Sequence, residues 1–310
     1  MRTGYYTHPD CARHEMGQDH PECPARLAAI EDRLISAGLD WALQRPPVPL
    51  AQEQELELAH SALYLAELRD RGRLDEGYAW IDPDTLMNPH TLRAVLRAAG
   101  AAVAATDAVL DGTLDNAFCA VRPPGHHATH DRAMGFCFVN NVAVAARHAL
   151  DRRGLERVAV VDFDVHHGNG TEDILSGDSR VLMVSFFQHP FYPYSGTEDP
   201  APNMLNVPLP AYSAGAQVRE VVAQRWLPRL REFAPQMIFI SAGFDAHRED
   251  DMAQMGLVEA DYAWITRAIR EVADEVCQGR IVSCLEGGYN LSALGRSVVE
   301  HVRVLAGLES

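Results

Sequence analysis

Two aspartates and a histidine stand at alternate positions in the run Asp162-Phe163-Asp164-Val165-His166-His167-Gly168-Asn169. Side chains alternate along an extended chain, so Asp162, Asp164 and His166 share one face while Phe163 and Val165 take the other. An aspartate and a histidine two residues apart can converge on one cation. A second carboxylate, Asp245 in Ser241-Ala242-Gly243-Phe244-Asp245, would complete three protein ligands. Three ligands leave an open position for water, the arrangement of a catalytic zinc. Two carboxylates and an imidazole are harder than a cysteine-rich set, so Fe2+ or Co2+ would also suit. A single strand-end aspartate more often caps a helix or pairs with an arginine. The combination of the two runs is what carries the metal reading.

A tandem pair, His126-His127, follows Arg122-Pro123-Pro124-Gly125. Two imidazoles beside an activated water can divide the work of general base and general acid. Each needs a partner on its far nitrogen, and Asp162 and Asn169 are available in the metal-binding run. Tyr289, after Glu286-Gly287-Gly288, could donate its hydroxyl to a developing oxyanion. Alone, a strand-end tyrosine is more often packing; the paired glycines make a tight turn that would aim this one inward.

Short apolar runs at 118–121, 158–164, 181–187, 237–242 and 281–285 are rich in Val, Ile, Phe and Cys, as strands buried on both faces are. Amphipathic helical stretches lie between them at 89–111, 140–152, 214–233, 259–277 and 291–305, with further helices near 24–37 and 61–71. This alternation predicts a three-layer α/β fold with a mainly parallel sheet. In such sheets ligands bind beyond the carboxyl ends of the strands. His126 and His127, His166, Asp245 and Tyr289 each follow one of these runs, and Asp164 closes one.

The chain has 310 residues, 47% hydrophobic and 23% charged, and a single domain spanning 1–310 is expected because no repeat, linker or low-complexity tract divides it. A formal charge of −16 argues against direct contact with nucleic acid. Six cysteines without a C-x-x-C pair fit a reduced, cytoplasmic setting. The opening residues lack an apolar signal core, and no window approaches the roughly 18 apolar residues of a membrane span.

The blocks R-P-P-G-H-H (122–127), G-F-C-F-V-N-N (135–141), D-F-D-V-H-H-G-N-G-T (162–171), S-A-G-F-D-A-H (241–247) and E-G-G-Y (286–289) resemble the signatures of the zinc-dependent histone deacetylase family. The similarity runs from about Gly4, through H-P-E-C-P-A-R-L at 20–27, to the last helix. It implies the arginase–deacetylase fold, a three-layer α/β/α sandwich around an eight-stranded sheet. It further implies Asp164, His166 and Asp245 as zinc ligands. His127 would be the main base and acid, His126 its electrostatic partner backed by Asp162, with Asn169 orienting His127 and Tyr289 holding the oxyanion. Phe136 with Gly135, Met252, Gly287 and Gly288 would line an acyl tunnel, opposite a wall for which Phe191 and Tyr192 are candidates. Asp84 resembles a rim residue that holds substrate, and Arg26 one of an internal cavity below the metal. A structural potassium is implied near Asp162, Asp164, His166, Ser185 and Phe186, and a second near Leu175, Asp178 and Val181.

Asn169 stands where some relatives carry aspartate, and the asparagine resembles the class II branch and its bacterial amidohydrolase relatives. Met252 replaces the glutamate gate of polyamine-selective members, so the charge that would recognise a cationic chain is missing. The expected activity is hydrolysis of an N-acyl amide, acetyl-lysine or a small acylated amine. The alternatives are an acetylpolyamine amidohydrolase, a binuclear manganese ureohydrolase, for which the ligands are too few, or a non-catalytic acyl-group binder. A homo-oligomer is compatible with all of these. Cys137 reads as a small buried residue. His14 and His20 read as entrance or capping residues, and His60, His90 and His148 as surface or capping residues.

Overall fold

A computed structural model of the chain describes residues 1–309. Its strands are β1 Thr3–Tyr6, β2 Leu43–Gln44, β3 Ala79–Trp80, β4 Leu86–Met87, β5 Asn116–Cys119, β6 Val158–Asp162, β7 Val181–Gln188, β8 Met204–Leu209, β9 Ile238–Ala242 and β10 Ile281–Leu285. Its helices are α1 Ala25–Ser36, α2 Glu53–Leu56, α3 Ala62–Arg71, α4 Thr91–Leu110, α5 Asn141–Asp151, α6 Asn169–Leu175, α7 Gly215–Val221, α8 Leu227–Phe233, α9 Glu259–Cys277 and α10 Leu291–Leu305.

The main sheet has eight strands in the order β2-β1-β5-β10-β9-β6-β7-β8, and every pairing in it is parallel. The central strands β6, β9 and β10 are buried at every residue, which is why their sequences are continuous apolar runs and not alternating ones. Helices α4 and α5 pack together against β5, β6, β9 and β10. The series α1, α10, α9 and α8 forms the other layer. Side-chain caps fix where two site-proximal helices begin. Asn140 Oδ1 accepts from Ala143 N, and Asn290 Oδ1 accepts from Ala293 N, both at 3.0 Å. All strands being parallel, all their carboxyl ends lie at one edge of the sheet.

Two expectations need correction, and one strand was missed. The helical stretch at 214–233 is not continuous, because a π turn over Val222–Trp226 separates α7 from α8. Pro228 in the first turn of α8 has no N–H for the preceding turn, and a widened turn accommodates it. The edge strand β8 escaped the apolar pattern because its face is only partly buried and it contains Pro208. His60 and His148 are buried, not surface residues, and His14, expected at the entrance or as a cap, is buried as well. His14 Nδ1 lies 2.8 Å from Thr91 Oγ1, His60 bridges Thr129 O and Asn140 N, and His148 Nε2 lies 2.8 Å from Asp107 Oδ1. Among the described residues no helix is long and apolar enough to cross a membrane.

Candidate active site

β6 stops at Asp162, so Asp164 and His166 lie in the loop beyond its carboxyl end, and Asp245 arrives from the loop after β9. Strand alternation therefore does not place Asp164 and His166, but backbone hydrogen bonds to the carboxylates do. Asp162 Oδ1 accepts from Asp164 N at 3.0 Å, Asp164 Oδ1 from His166 N at 2.9 Å, and Asp245 Oδ1 from Val165 N at 2.9 Å. One ligand atom each from Asp164, His166 and Asp245 lies within 4.8 Å of the others, and all three residues are buried. His166 Nδ1 faces Asp164 Oδ1 at 3.0 Å and Asp245 Oδ2 at 3.2 Å.

The cluster fits a divalent cation on its own chemistry. Asp245 Oδ2 is buried, and apart from the 3.2 Å approach of His166 Nδ1 no hydrogen bond reaches it. Burial and the neighbouring Asp164 raise the Asp245 carboxyl to about 6. Burial disfavours charge on His166, yet the two carboxylates outweigh it and lift the ring to about 10. Two buried carboxylates thus draw positive charge onto the one imidazole between them, a place that a metal ion would take. Gly287 makes the close packing possible. Its N–H donates to Asp164 Oδ2 at 2.9 Å, and a Cβ there would sit 2.0 Å from Asp245 Oδ2.

The tandem histidines lie beside this cluster with their rings 4.0 Å apart. His126 Nδ1 is 3.0 Å from Asp162 Oδ2, and its Nε2 is 3.8 Å from Asp164 Oδ2. Burial opposes its charging, but the Asp164 and Asp162 carboxylates prevail and raise its pKa well above the ordinary 6.5. His127 shows the opposite behaviour. Burial, then the adjacent His126 and His166, push its pKa well below 6.5. Its Nδ1 lies 2.7 Å from Asn169 Oδ1. An amide oxygen only accepts, so Nδ1 carries the proton and Nε2 keeps its lone pair.

Tyr289 is held from both sides. Its backbone N–H donates to Asp250 Oδ2 at 2.6 Å, and the Arg26 guanidinium lies 5.0 Å from its ring centre. Burial, then the negative charge of Asp245, raise the phenol's pKa well above 10, so it stays a donor. Arg26 donates to Gly288 O at 2.7 Å and Glu286 O at 2.5 Å, and so fixes the turn that carries the tyrosine.

A tunnel of about 190 Å³ opens onto His127, His166 and Tyr289. Its walls include Gly135, Phe136, Phe191, Tyr192 and Met252, with Asp84 also among its lining residues. Phe136 stands edge-on to Tyr289 at 5.9 Å, Phe191 stacks on His166 at 5.6 Å, and Tyr192 stands edge-on to His127 at 5.2 Å. This volume is below the ~300 Å³ of ordinary ligand pockets and suits a slender chain. Gly287 and Gly288 lie behind the carboxylates and under Arg26, not in the wall. His20 lies at the mouth, 4.7 Å edge-on from Phe136 and bonded to Asp84 O. A cleft of about 460 Å³ adjoins the mouth and shares Asp84 and Tyr192 with it.

Where the first potassium is expected, Asp162 pairs in register with Ser185 across β6 and β7, with Phe186 next along β7, while Ser185 Oγ donates to Asn206 Oδ1 at 3.2 Å. At the second expected position, the Asn203 side-chain amide already bridges Leu175 O and Asp178 O at 3.0 and 3.2 Å.

Sequence reasoning missed four supporting residues. Asp250 accepts from the N–H groups of Tyr289, Asn290 and Met252. Glu286 Oε2 accepts from Gly125 N and His126 N. Glu22 and Arg122 form a fully buried ion pair that also engages Arg26. Glu22, Arg122 and Glu286 all stand in the blocks H-P-E-C-P-A-R-L, R-P-P-G-H-H and E-G-G-Y, whereas Asp250 lies in none of them.

Comparison with known proteins agrees with this arrangement. Residues 20–305 match the histone deacetylase domain. An uncharacterized Synechocystis protein, slr0245, is 40% identical over 94% of this chain and 96% of its own length. A histone deacetylase-like amidohydrolase of Pseudomonas aeruginosa is 38% identical over 91% of this chain and 77% of its own. The crystal structure of the HDA15 HD domain superposes with a TM-score of 0.92 at 33% identity, covering 99% of this chain and 90% of that one.

Proposed function

The chain belongs to the histone deacetylase family, and from that premise we propose that it is a zinc-dependent deacylase acting on a linear N-acyl amine, an acetyl-lysine side chain or a small acylated amine. The observation that carries the reading is the pairing of a neutral His127, its Nδ1 on Asn169, with the buried Asp164–His166–Asp245 cluster at the foot of a narrow tunnel.

A zinc ion held by Asp164, His166 and Asp245 would supply Lewis acidity, polarising the amide carbonyl and lowering the pKa of a water molecule toward neutrality. His127 Nε2 then takes a proton from the attacking water and returns it to the departing amine, because its depressed pKa leaves the ring unprotonated at the start. His126, charged through Asp162, stabilises the negative charge that builds beside it. The Tyr289 hydroxyl, still protonated, donates to the carbonyl oxygen as it becomes an oxyanion. Phe136, Phe191 and Met252 exclude water from the acyl chain, and the absence of a carboxylate at Met252 favours an uncharged chain over a polyamine. Oxygen donors around Asp162 and Ser185 would hold a structural potassium.

The test is deacylation of fluorogenic acyl-lysine reporters and acetylpolyamines by purified protein, zinc-loaded and chelator-stripped. Metal-dependent turnover that is lost in His127→Ala supports the reading. Metal-bound protein without turnover on any of these substrates would sink it and favour an acyl-group binder.

A further inference from the structure

His166 and His167 are neighbours in sequence and face different partners. His166 points its Nδ1 at the carboxylate cluster, while the buried ring of His167 packs against Phe187 at 4.7 Å. His167 Nε2 lies 2.7 Å from Glu172 Oε2, and its Nδ1 lies 2.8 Å from Ser195 Oγ. The Glu172 carboxylate stands at ion-pair distance from one ring nitrogen and the serine hydroxyl at hydrogen-bond distance from the other. Burial works against the Glu172 charge, but the His167 ring and the Asn206 amide outweigh it and hold its carboxyl below the ordinary value. Asn206 Nδ2 reaches both Glu172 Oε2 at 2.8 Å and Gly196 O at 3.1 Å. Gly196, at φ +90°, lies flat on the histidine: a Cβ there would meet His167 Cδ2 at 2.7 Å.

These contacts all grip the far end of the segment 189–196, which carries Phe191 and Tyr192 against His166 and His127. At its near end His189 N donates to Leu209 O at 2.8 Å. Tyr194 N closes a turn onto Phe191 O at 2.7 Å in between. The wall is thus hung between two anchors, and one of them is the residue next to a metal ligand.

We infer that His167 and Ser195 are positioning residues for the tunnel wall, setting which acyl chain fits by holding Phe191 and Tyr192 at a fixed distance from the cluster. Because His166 and His167 share a peptide unit, the wall is registered against the metal site and not against the protein surface. The inference rests on the deacylase reading for its kinetic consequence but not for its structural one. Serine, imidazole and carboxylate in a row also have the spacing of a nucleophile, its base and an orienting acid. Here the trio ties three separate segments together, which is the work of a clamp.

The experiment uses the full-length, zinc-loaded protein with Ser195→Ala and the conservative Ser195→Thr. Hydrogen–deuterium exchange is followed over 189–196, and kcat and KM are measured on acyl-lysine reporters from acetyl to octanoyl. Ser195→Ala is expected to speed exchange in that segment and to raise KM for the preferred acyl group about fivefold, the worth of one hydrogen bond. The ranking of chain lengths changes and kcat stays within about twofold, while Ser195→Thr restores the wild-type profile. Unchanged exchange together with an unchanged chain-length ranking in Ser195→Ala overturns the inference. So does covalent labelling of Ser195 by a fluorophosphonate, which would make it a nucleophile. If wild-type protein turns over none of the reporters, the deacylase reading fails and the exchange result alone decides the clamp.

Discussion

Asn169 Oδ1 lies 2.7 Å from His127 Nδ1, so the ring that faces the tunnel is oriented by a neutral amide and not by a carboxylate. The amide fixes the tautomer without adding charge, and burial together with His126 and His166 keeps the ring's pKa low. Asn169→Asp places a negative charge on the same nitrogen and favours the imidazolium. The base is then protonated up to a higher pH. The acidic limb of the kcat/KM profile is expected to move upward by about one unit, read from rates across pH.

Tyr289→Phe keeps the ring between Arg26 and Phe136 and removes only the hydroxyl. The expected outcome is a loss of roughly 10²–10³ in kcat, the usual effect of deleting one oxyanion donor. KM and the melting temperature should stay close to wild type. A large fall in melting temperature would mean that the tyrosine is a packing residue.

Asp245 Oδ2 is buried, with His166 Nδ1 at 3.2 Å but no well-formed hydrogen bond, beside Asp164. Chelation is expected to abolish turnover, and added zinc to raise the melting temperature, since a ligand that binds only the folded state stabilises it. Elemental analysis should find one zinc per chain in the wild type and little in Asp245→Ala. Two metals per chain would contradict a single three-ligand site.

Glu22 is fully buried and bonds to the guanidinium groups of both Arg122 and Arg26. Burial disfavours its charge, but the two arginines and His14 hold it ionised, well below the ordinary carboxylate range. Glu22→Ala would strand two buried cations, and a loss of about 3–5 kcal/mol is expected, measurable by denaturant unfolding. Activity should fall further than the unfolded fraction accounts for, because Arg26 also holds the turn before Tyr289.

His60 offers its Nδ1 to Thr129 O and accepts from Asn140 N at its Nε2, which requires the neutral ring. Burial lowers its pKa to about 4, against 6.5 when unfolded. Between those values the unfolded chain binds a proton that the folded chain refuses, so stability falls as pH drops from about 6.5 toward 4. The loss over that window is on the order of 3 kcal/mol. In His60→Gln this part of the pH dependence should disappear, even if the variant is less stable overall.

The residues of the candidate site were legible because they are concentrated in short runs at the ends of apolar strands. The runs around Asp164, Asp245 and Tyr289 announced themselves by composition, β9 and β10 were read from continuous apolar runs, and α9 and α10 from helical periodicity. What stayed hidden depends on distance along the chain. Glu22 and Arg122 are separated by 100 residues, and nothing in either neighbourhood marks them as partners. His60 and His148 looked like surface residues because a lone histidine carries no signal of burial. Asp250 sits in an acidic, loop-like run, Arg248-Glu249-Asp250-Asp251, that reads as solvated although its carboxylate is buried and accepts three N–H groups.

The parts of the site also have an order in time. Arg26 and Glu22 are made first, yet the carbonyls of Glu286 and Gly288 that Arg26 grips are among the last to be synthesised. The two ligands in the loop after β6 precede the third by some eighty residues. A chain still emerging from the ribosome therefore lacks first a complete cation site and then its tyrosine. The turn that carries Tyr289 forms only when β10, the final strand, enters the sheet, so on the deacylase reading the donor to the oxyanion is the last part of the site to arrive.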